Sequence, residues 1–250
     1  RAAISIGDTV AAKTALTSAT RFAEYDAPMQ VEIAGLQLAA NNLGGAAYSL
    51  DKALSSRPDL LPAQALMAEV ELRQGDPAKA EKRARDVISQ NPKLAVGHGI
   101  LGDILLARNQ VPTAIEAYRR AHEIEPGTGS FLRLFRAVYG QDSGVSALRL
   151  ADQWLKTHPK DLAVHKAFAD GHARAGNFPD AKLAYEGALK LKPNDTEVLN
   201  NLANVQLRMK DPGAIKTAET ALASAPGNAL VIDTLGWALF QKLVAYTQEN

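Results

Sequence analysis

Six prolines recur through this 250-residue chain at a nearly constant spacing, which constrains the fold more than any other feature. Successive members lie 34, 34, 33, 34 and 33 residues apart, at Pro58, Pro92, Pro126, Pro159, Pro193 and Pro226. Each stands in a short turn-like segment, mostly polar or charged, after a stretch of helical composition. Because proline cannot continue a helix, each one marks a helix end. A period of this length is typical of a helical repeat protein.

Two further sets of positions recur inside the period. An alanine stands twelve residues before every one of these prolines, at Ala46, Ala80, Ala114, Ala147, Ala181 and Ala214. A small residue at a fixed point lets a neighbouring helix approach closely. Most units also contain a turn at mid-length, at Asn41-Asn42, Gly75-Asp76, Asn109-Gln110, Gly176-Asn177 and Lys210-Asp211. Since Gly and Asn tolerate the left-handed conformation that ends a helix, each unit is predicted to be a helix pair.

The amino-acid composition excludes several classes of function. The 28 basic and 27 acidic residues leave a formal charge of +1, which gives no electrostatic footprint for nucleic acid or an anionic membrane. Without cysteine there is no disulfide framework, thiolate metal site or cysteine nucleophile. The chain starts without Met and without a signal-peptide pattern, so we interpret it as a piece of a longer protein.

The recurring residues resemble the tetratricopeptide repeat (TPR). The best match combines Leu101-Gly102 with Asn109, Ala114, Tyr118, Ala121 and Pro126. The resemblance implies an all-α fold in which TPR helix-turn-helix repeats stack into a right-handed α-solenoid. The predicted repeats cover residues 27–60, 61–94, 95–128, 129–161, 162–195 and 196–228, with partial repeats at 1–26 and 229–250. The fourth departs from the pattern, with Arg136 in a small-residue position and Trp154 in an alanine position.

No catalytic, cofactor or metal site is predicted. Residues 97–102 match the dinucleotide-binding motif G-x-G-x-x-G, but that motif works only between a strand and a helix. The five histidines occupy interior slots or helix ends of the repeat, and no serine has the context of a nucleophile. We therefore expect a non-enzymatic binding protein without a cofactor.

In TPR proteins the first helix of each pair lines a groove that binds peptides or short helices. Carried onto this sequence, the groove positions are Val31, Gly35, Leu38, Ala65, Glu69, Arg73, Gly99, Asp103, Leu106, Arg133, Ala137, Gln141, Lys166, Asp170, Arg174, Asn200, Asn204, Arg208, Asp233, Trp237 and Gln241. The predicted binding wall consists of Lys166, Asp170, Asn200, Asn204, Arg208, Asp233 and Trp237, and both asparagines are expected to face solvent.

Three alternatives stay open at these positions. Glu69 with Arg73, and Asp170 with Arg174, are four residues apart on a helix and so can simply neutralise each other. Trp237 can pack against a second helix that is absent from this piece instead of a ligand. A chaperone-type clamp for a carboxyl terminus is disfavoured, because Asp170 replaces the Asn that such a clamp needs.

A narrower resemblance concerns the last hundred residues. The stretches 154–161, 200–203 and 233–237 are similar to the TPR lipoprotein of bacterial PEP-CTERM/exosortase systems. That resemblance implies an envelope-associated or periplasmic scaffold for exopolysaccharide export or protein sorting; without it, the expected location is the cytoplasm. The alternative function is self-assembly through apolar terminal repeats.

Overall fold

The computed structural model describes residues 9–249, a range that contains fourteen α-helices and no strand. In chain order the helices are α1 Thr9–Ala23, α2 Ala27–Ala39, α3 Leu43–Ser56, α4 Leu61–Arg73, α5 Pro77–Gln90, α6 Ala95–Ala107, α7 Val111–Ile124, α8 Thr128–Tyr139, α9 Val145–Thr157, α10 Leu162–Arg174, α11 Phe178–Leu191, α12 Thr196–Arg208, α13 Ala214–Ser224 and α14 Ala229–Glu249. The predicted all-α class is confirmed. The repeat period projects a turn at Gly7-Asp8 in the predicted partial repeat at 1–26, and this turn lies outside the described residues.

The turn inside each pair holds a residue with positive φ. Five of these residues stand at the predicted turns, namely Asn41, Gly75, Asn109, Gly176 and Lys210. In the irregular fourth pair the positive φ falls on Ser143 and Gly144, and Ser143 lies 34 residues after Asn109. The turn period therefore continues through the repeat whose sequence departs most from the pattern.

The recurring alanines pack against neighbouring helices as expected. Ala214 is 3% exposed, and the other five members of the set are fully buried. Polar side chains at several helix starts fix where the helices begin. For example, the Asp76 carboxylate accepts the backbone N–H of Lys79 at 3.0 Å, and Asp161 accepts that of Val164 at 3.2 Å. Burial of small residues and capping of helix starts together set the repeat.

The chain divides into two compact units, Arg1–Ala137 and Val138–Asn250. The core of the first includes Leu50 and Val70, so it joins a second helix, α3, to the next first helix, α4. The core of the second includes Tyr185 and Leu202, which join α11 to α12 in the same way. The division falls inside the fourth predicted repeat, one residue after Arg136.

Helix α14 departs from the pattern of the first helices before it. It runs for 21 residues, whereas α10 and α12 each end after 13. At the place of the expected turn the sequence is Leu243-Val244, without the Gly or Asn that ends a helix in most other pairs. The predicted partial repeat at 229–250 is thus one continuous helix. None of the described helices combines the length and apolarity that a membrane span requires.

Candidate functional site

The seven residues of the predicted binding wall lie on three first helices of the second unit. Lys166 and Asp170 lie on α10, three more lie on α12, and Asp233 and Trp237 lie on α14. Helix α10 contacts α12, and α12 contacts α14. The first helices therefore present neighbouring surfaces, but the seven side chains do not have the same role.

Lys166 ties α10 to the start of α12. Its Nζ contacts the Glu197 carboxylate and lies 3.6 Å from Oδ1 of Asp195, the residue that caps α12. Burial opposes the charge of Lys166, but the hydrogen bond to Glu197 and the charge of Asp195 outweigh it and raise the lysine pKa. Lys166 is thus already neutralised by the neighbouring repeat.

Asp170 is also held from inside the protein. Its Oδ1 accepts a hydrogen bond from the Tyr185 hydroxyl at 2.5 Å and another from Nδ2 of Asn201 at 3.3 Å. Burial raises the pKa of the Tyr185 phenol, and the hydrogen bond to the carboxylate adds to this effect. Within the described residues no ion pair joins Asp170 to Arg174, so the alternative pairing is not formed and Asp170 bonds to Tyr185 and Asn201 instead.

The two asparagines differ in exposure. Asn200 is partly buried, and its Oδ1 is completely buried without a hydrogen-bond partner, so the expectation that it faces solvent is wrong. Asn204 is exposed as expected. Its Nδ2 donates to the backbone oxygen of Asn200 at 3.0 Å and lies 3.3 Å from the Thr234 hydroxyl oxygen. The second contact places Asn204 beside α14.

Arg208, Asp233 and Trp237 complete the exposed part of the wall. The two charged side chains have no hydrogen-bond or salt-bridge partner within residues 9–249. Trp237 is 52% exposed and stacks on Phe240, with ring centroids 5.5 Å apart. Its ring partner belongs to the same helix, and the alternative that Trp237 packs against a second helix outside this sequence stays a prediction.

Arg208 and Trp237 line one open cavity of about 860 Å³. Its remaining lining comes from the α12–α13 turn and the second half of α14, and includes Lys210, Pro212, Ile215, Phe240, Lys242 and Val244. The sequence prediction missed these residues because it followed only the groove positions of first helices. The sequence does contain a signal for these cavity residues, because residues 237–246 are apolar on nearly every side of the helix.

In the first unit, several of the predicted groove positions are buried by helix packing or paired within the protein. Leu38, Ala65 and Ala137 are buried, so their assignment to a groove surface is corrected. Arg73 pairs with Glu69 at 2.5 Å and also donates to the backbone oxygen of Leu38 at 3.1 Å. The predicted neutralisation of this pair is therefore confirmed.

Asp103 of the first unit has the same kind of internal partners as Asp170. Its Oδ1 accepts a 2.7 Å hydrogen bond from Tyr118, and its Oδ2 lies 3.6 Å from the Arg133 guanidinium. Gly99 is buried beneath Arg133, since a Cβ on this glycine would lie 2.7 Å from Nη1 of the arginine. The predicted groove positions around Gly99 are thus largely occupied by this arginine.

The candidate cofactor and metal residues have structural roles. Residues 97–102, the dinucleotide-like motif, lie inside α6 rather than at a strand-to-helix turn. His98 Nε2 lies 3.0 Å from the Pro92 oxygen, and His165 Nε2 lies 2.9 Å from the Pro159 oxygen. Each of these histidines thus fastens a first helix to the proline before it. Within the described residues, no group of three His, Asp or Glu side chains could hold a metal ion.

The family comparison fits this architecture. The tetratricopeptide repeat profile matches residues 66–127 and 166–229, together half of the chain. The chain belongs to the tetratricopeptide repeat family. A curated relative, the DnaJ homolog subfamily C member 7 homolog of Schizosaccharomyces pombe, is 28% identical over 173 residues, which is 68% of this chain. The matched region spans 30% of the relative's length.

Solved TPR structures agree on the fold. PilW, described as a widely conserved type IV pilus biogenesis factor, gives a TM-score of 0.66 at 18% identity and covers 84% of this chain and 98% of its own. YrrB, described as a TPR protein with an unusual peptide-binding site, gives 0.53 at 13% identity and covers 75% of this chain and 97% of its own. At these identities the likeness establishes the TPR fold.

Proposed function

We propose that this TPR chain is a non-catalytic scaffold that binds an extended segment of a protein partner along the first helices of its last repeats. The observation that carries the proposal is the contact between Asn204 and Thr234, which brings the exposed side chains of α12 and α14 together. Arg208 lies one turn beyond Asn204, and Asp233 is adjacent to Thr234. The result is a strip of unpaired polar groups on neighbouring helices.

The chemistry of this strip suits a peptide main chain. Asn204 uses its amide N–H groups inside the protein, while its Oδ1 accepts no hydrogen bond from the described residues. Arg208 adds donors, Asp233 adds acceptors, and the exposed Trp237 ring adds apolar area. Lys166 and Asp170 are excluded from the contact surface because their charges are satisfied internally. The YrrB description is compatible with a peptide ligand.

Peptide display tests the proposal. A random peptide library would be selected on the wild-type protein, and the affinities of the selected peptides would be compared with those for Asn204→Ala. We expect that variant to weaken binding by at least about fivefold, which corresponds to about 1 kcal/mol. The control is Lys216→Ala, an exposed position on α13, which should leave the affinity unchanged. Equal binding to wild type and Asn204→Ala would place the site elsewhere.

Self-association remains the second candidate. The exposed apolar side chains of α14 favour it; they are Leu230, Ile232, Trp237, Leu239, Phe240, Leu243 and Tyr246. Such an apolar surface on one helix is typical of an interaction site. Light scattering over a range of concentrations would detect association, since a self-assembled form must dissociate on dilution. The envelope role implied by the PEP-CTERM resemblance stays a prediction, and fractionation of source cells tests it.

A further inference from the structure

We propose that the cleft between the α12–α13 turn and the second half of α14 is a docking site for an amphipathic helix with acidic residues along its flanks. This cleft is the 860 Å³ cavity described above. It borders the polar strip of the proposed function through Arg208 and Trp237, but it does not include Asn204 or Asp233. The inference therefore concerns a second surface with its own ligand.

The floor of the cleft is apolar and open to solvent. Pro212 and Ile215 form one wall, while Trp237, Phe240 and Val244 form the other. Phe240 is 52% exposed, and the neighbouring α14 side chains outside the cavity are also exposed. A helix that is apolar all round is normally buried on every side. A ligand that covers these exposed side chains would therefore gain hydrophobic free energy of binding.

The shape of the floor favours a helical ligand. Trp237, Phe240, Gln241 and Val244 follow one another at i, i+3, i+4 and i+7, so they form a ridge along α14. A ridge with this spacing is complementary to the groove between side chains of another helix. Amphipathic helices bind in hydrophobic grooves through anchors at the same intervals.

The rim of the cleft is positively charged. Arg208, Lys210 and Lys242 border the cavity, and none of them forms a salt bridge within the described part of the chain. The acidic residue of the lining, Asp211, is neutralised by Lys182 at 2.5 Å and accepts the backbone N–H of Gly213 at 2.8 Å. The unpaired charge of the rim is therefore cationic, which favours a ligand with acidic flanks.

The same charges disfavour a second copy of this chain as the occupant. In a two-fold symmetric dimer each residue of the contact surface lies near its own counterpart or near its neighbours. The three rim cations would then approach three more cations, and like charges across an interface are costly. An acidic helix from another protein satisfies both the apolar floor and the rim.

Fluorescence anisotropy with synthetic helices tests the inference. The probe is a fluorescein-labelled peptide of about 18 residues with Leu on one helical face and Glu on both flanks. One comparison peptide replaces every Glu with Lys, and another keeps the composition but distributes Leu evenly around the helix. We expect the Glu peptide to bind at least about tenfold more tightly than either. Equal affinity for all three peptides would overturn the proposal.

Variants outside the polar strip locate the binding surface. Phe240→Ser should weaken the Glu peptide at least about tenfold, and the double variant Lys210→Glu/Lys242→Glu should reverse the preference between the Glu and Lys peptides. Leu183→Ser and Arg149→Glu/Lys190→Glu are matched controls, because they change exposed apolar and basic side chains outside the cleft. Wild-type affinity and an unchanged peptide preference in the cleft variants would contradict the assignment. If Phe240→Ser failed to fold, an unchanged preference in Lys210→Glu/Lys242→Glu would contradict it alone.

Two further measurements separate this surface from the others. In a Trp154→Phe background Trp237 is the sole tryptophan, and its emission should shift to shorter wavelength when the Glu peptide binds. Asn204→Ala should bind the Glu peptide like wild type, so failure of the proposed function leaves this result intact. Sedimentation that revealed a dimer which the Glu peptide did not dissociate would overturn the choice of occupant.

Discussion

Tyr185 on α11 donates a 2.5 Å hydrogen bond to Asp170 on α10. The same contact occurs two repeats earlier, in the first unit, between Tyr118 and Asp103. In both pairs the tyrosine belongs to the second helix of a repeat and the aspartate to the first. Each aspartate also contacts the first helix of the next repeat, through Asn201 in the second unit and Arg133 in the first. Each of these carboxylates therefore connects three helices, and its hydrogen-bonding capacity is used inside the protein.

Removing the Tyr185 hydroxyl should lower the stability of the fold. Tyr185→Phe leaves a partly buried carboxylate without its shortest hydrogen bond, and we expect the free energy of unfolding to fall by about 1 to 2 kcal/mol. Urea denaturation measures the change. Tyr48→Phe removes a hydroxyl from an exposed ring and should change stability by less than about 0.5 kcal/mol. An unchanged Tyr185→Phe would mean that water replaces the lost donor.

Two glycine-to-alanine substitutions should act in opposite directions. At Gly102 a Cβ would lie 2.5 Å from the Tyr118 ring, so Gly102→Ala should destabilise the protein by about 1 to 3 kcal/mol. At Gly35, inside α2, a Cβ would meet no atom within 4 Å. Gly35→Ala should therefore stabilise by about 0.5 to 1 kcal/mol through helix propensity. Thermal melting of the two variants side by side checks the predicted difference in sign.

The buried carboxylate of Glu71 should make Arg83 important for stability. Glu71 has a side chain only 4% exposed, and it accepts hydrogen bonds from Nε and Nη2 of Arg83 at 3.0 and 2.8 Å. Arg83→Met leaves that charge with the exposed Lys79 as its remaining ion-pair partner, at a cost of about 3 kcal/mol. Glu71→Leu/Arg83→Leu should recover most of the loss.

Arg85→Met is the matched comparison for Arg83. It breaks a 2.7 Å pair with Glu81 in which the arginine is 55% exposed. Surface pairs of this kind contribute less than about 1 kcal/mol. Equal losses for Arg83→Met and Arg85→Met in urea denaturation would show that burial of Glu71 does not control the stability.

Stability should fall in acid partly because of Asp195. Burial alone would raise the pKa of this carboxyl group, but hydrogen bonds from Lys192 and the Val198 N–H, with the charge of Lys166, lower it below 3.8 overall. The unfolded state then binds the proton more readily, so the stabilisation is present above pH 3.8 and is lost as the pH falls through the folded-state pKa. Asp195→Asn keeps a side chain that can cap α12 but removes the carboxyl group that titrates. Its unfolding midpoint should depend less on pH than wild type between about pH 5 and 3.

Much of the fold could be predicted from sequence because the repeat period fixes it. The prolines, the buried alanines and the left-handed turn residues all report one physical requirement, the close stacking of short helix pairs. Even Ser143, in a repeat without the usual small residue, keeps the turn in phase. The continuation of α14 through the expected turn was harder to predict, because it follows from the absence of a turn residue near Lys242 rather than from a recurring signal.

The candidate site was only partly predictable. Helical periodicity correctly placed Asn204, Arg208 and Trp237 on exposed surfaces, since it reports which face a residue occupies. It could not report that Lys166 meets Glu197 or that Asp170 meets Tyr185, because those contacts depend on how adjacent repeats pack. Asn200 shows the same limit, for its amide oxygen is buried on a face that the periodicity assigned to solvent.

The polar contacts between repeats of the second unit also determine how the chain comes apart. Lys166 with Glu197, Lys182 with Asp211, and Asn204 with Thr234 each join one repeat to the next. A disturbance at α14 must then pass through α12 and α13 before it reaches α10. We therefore expect local opening of the second unit to begin at α14. The helix that exposes seven large apolar side chains would then also be the first to detach when nothing covers it.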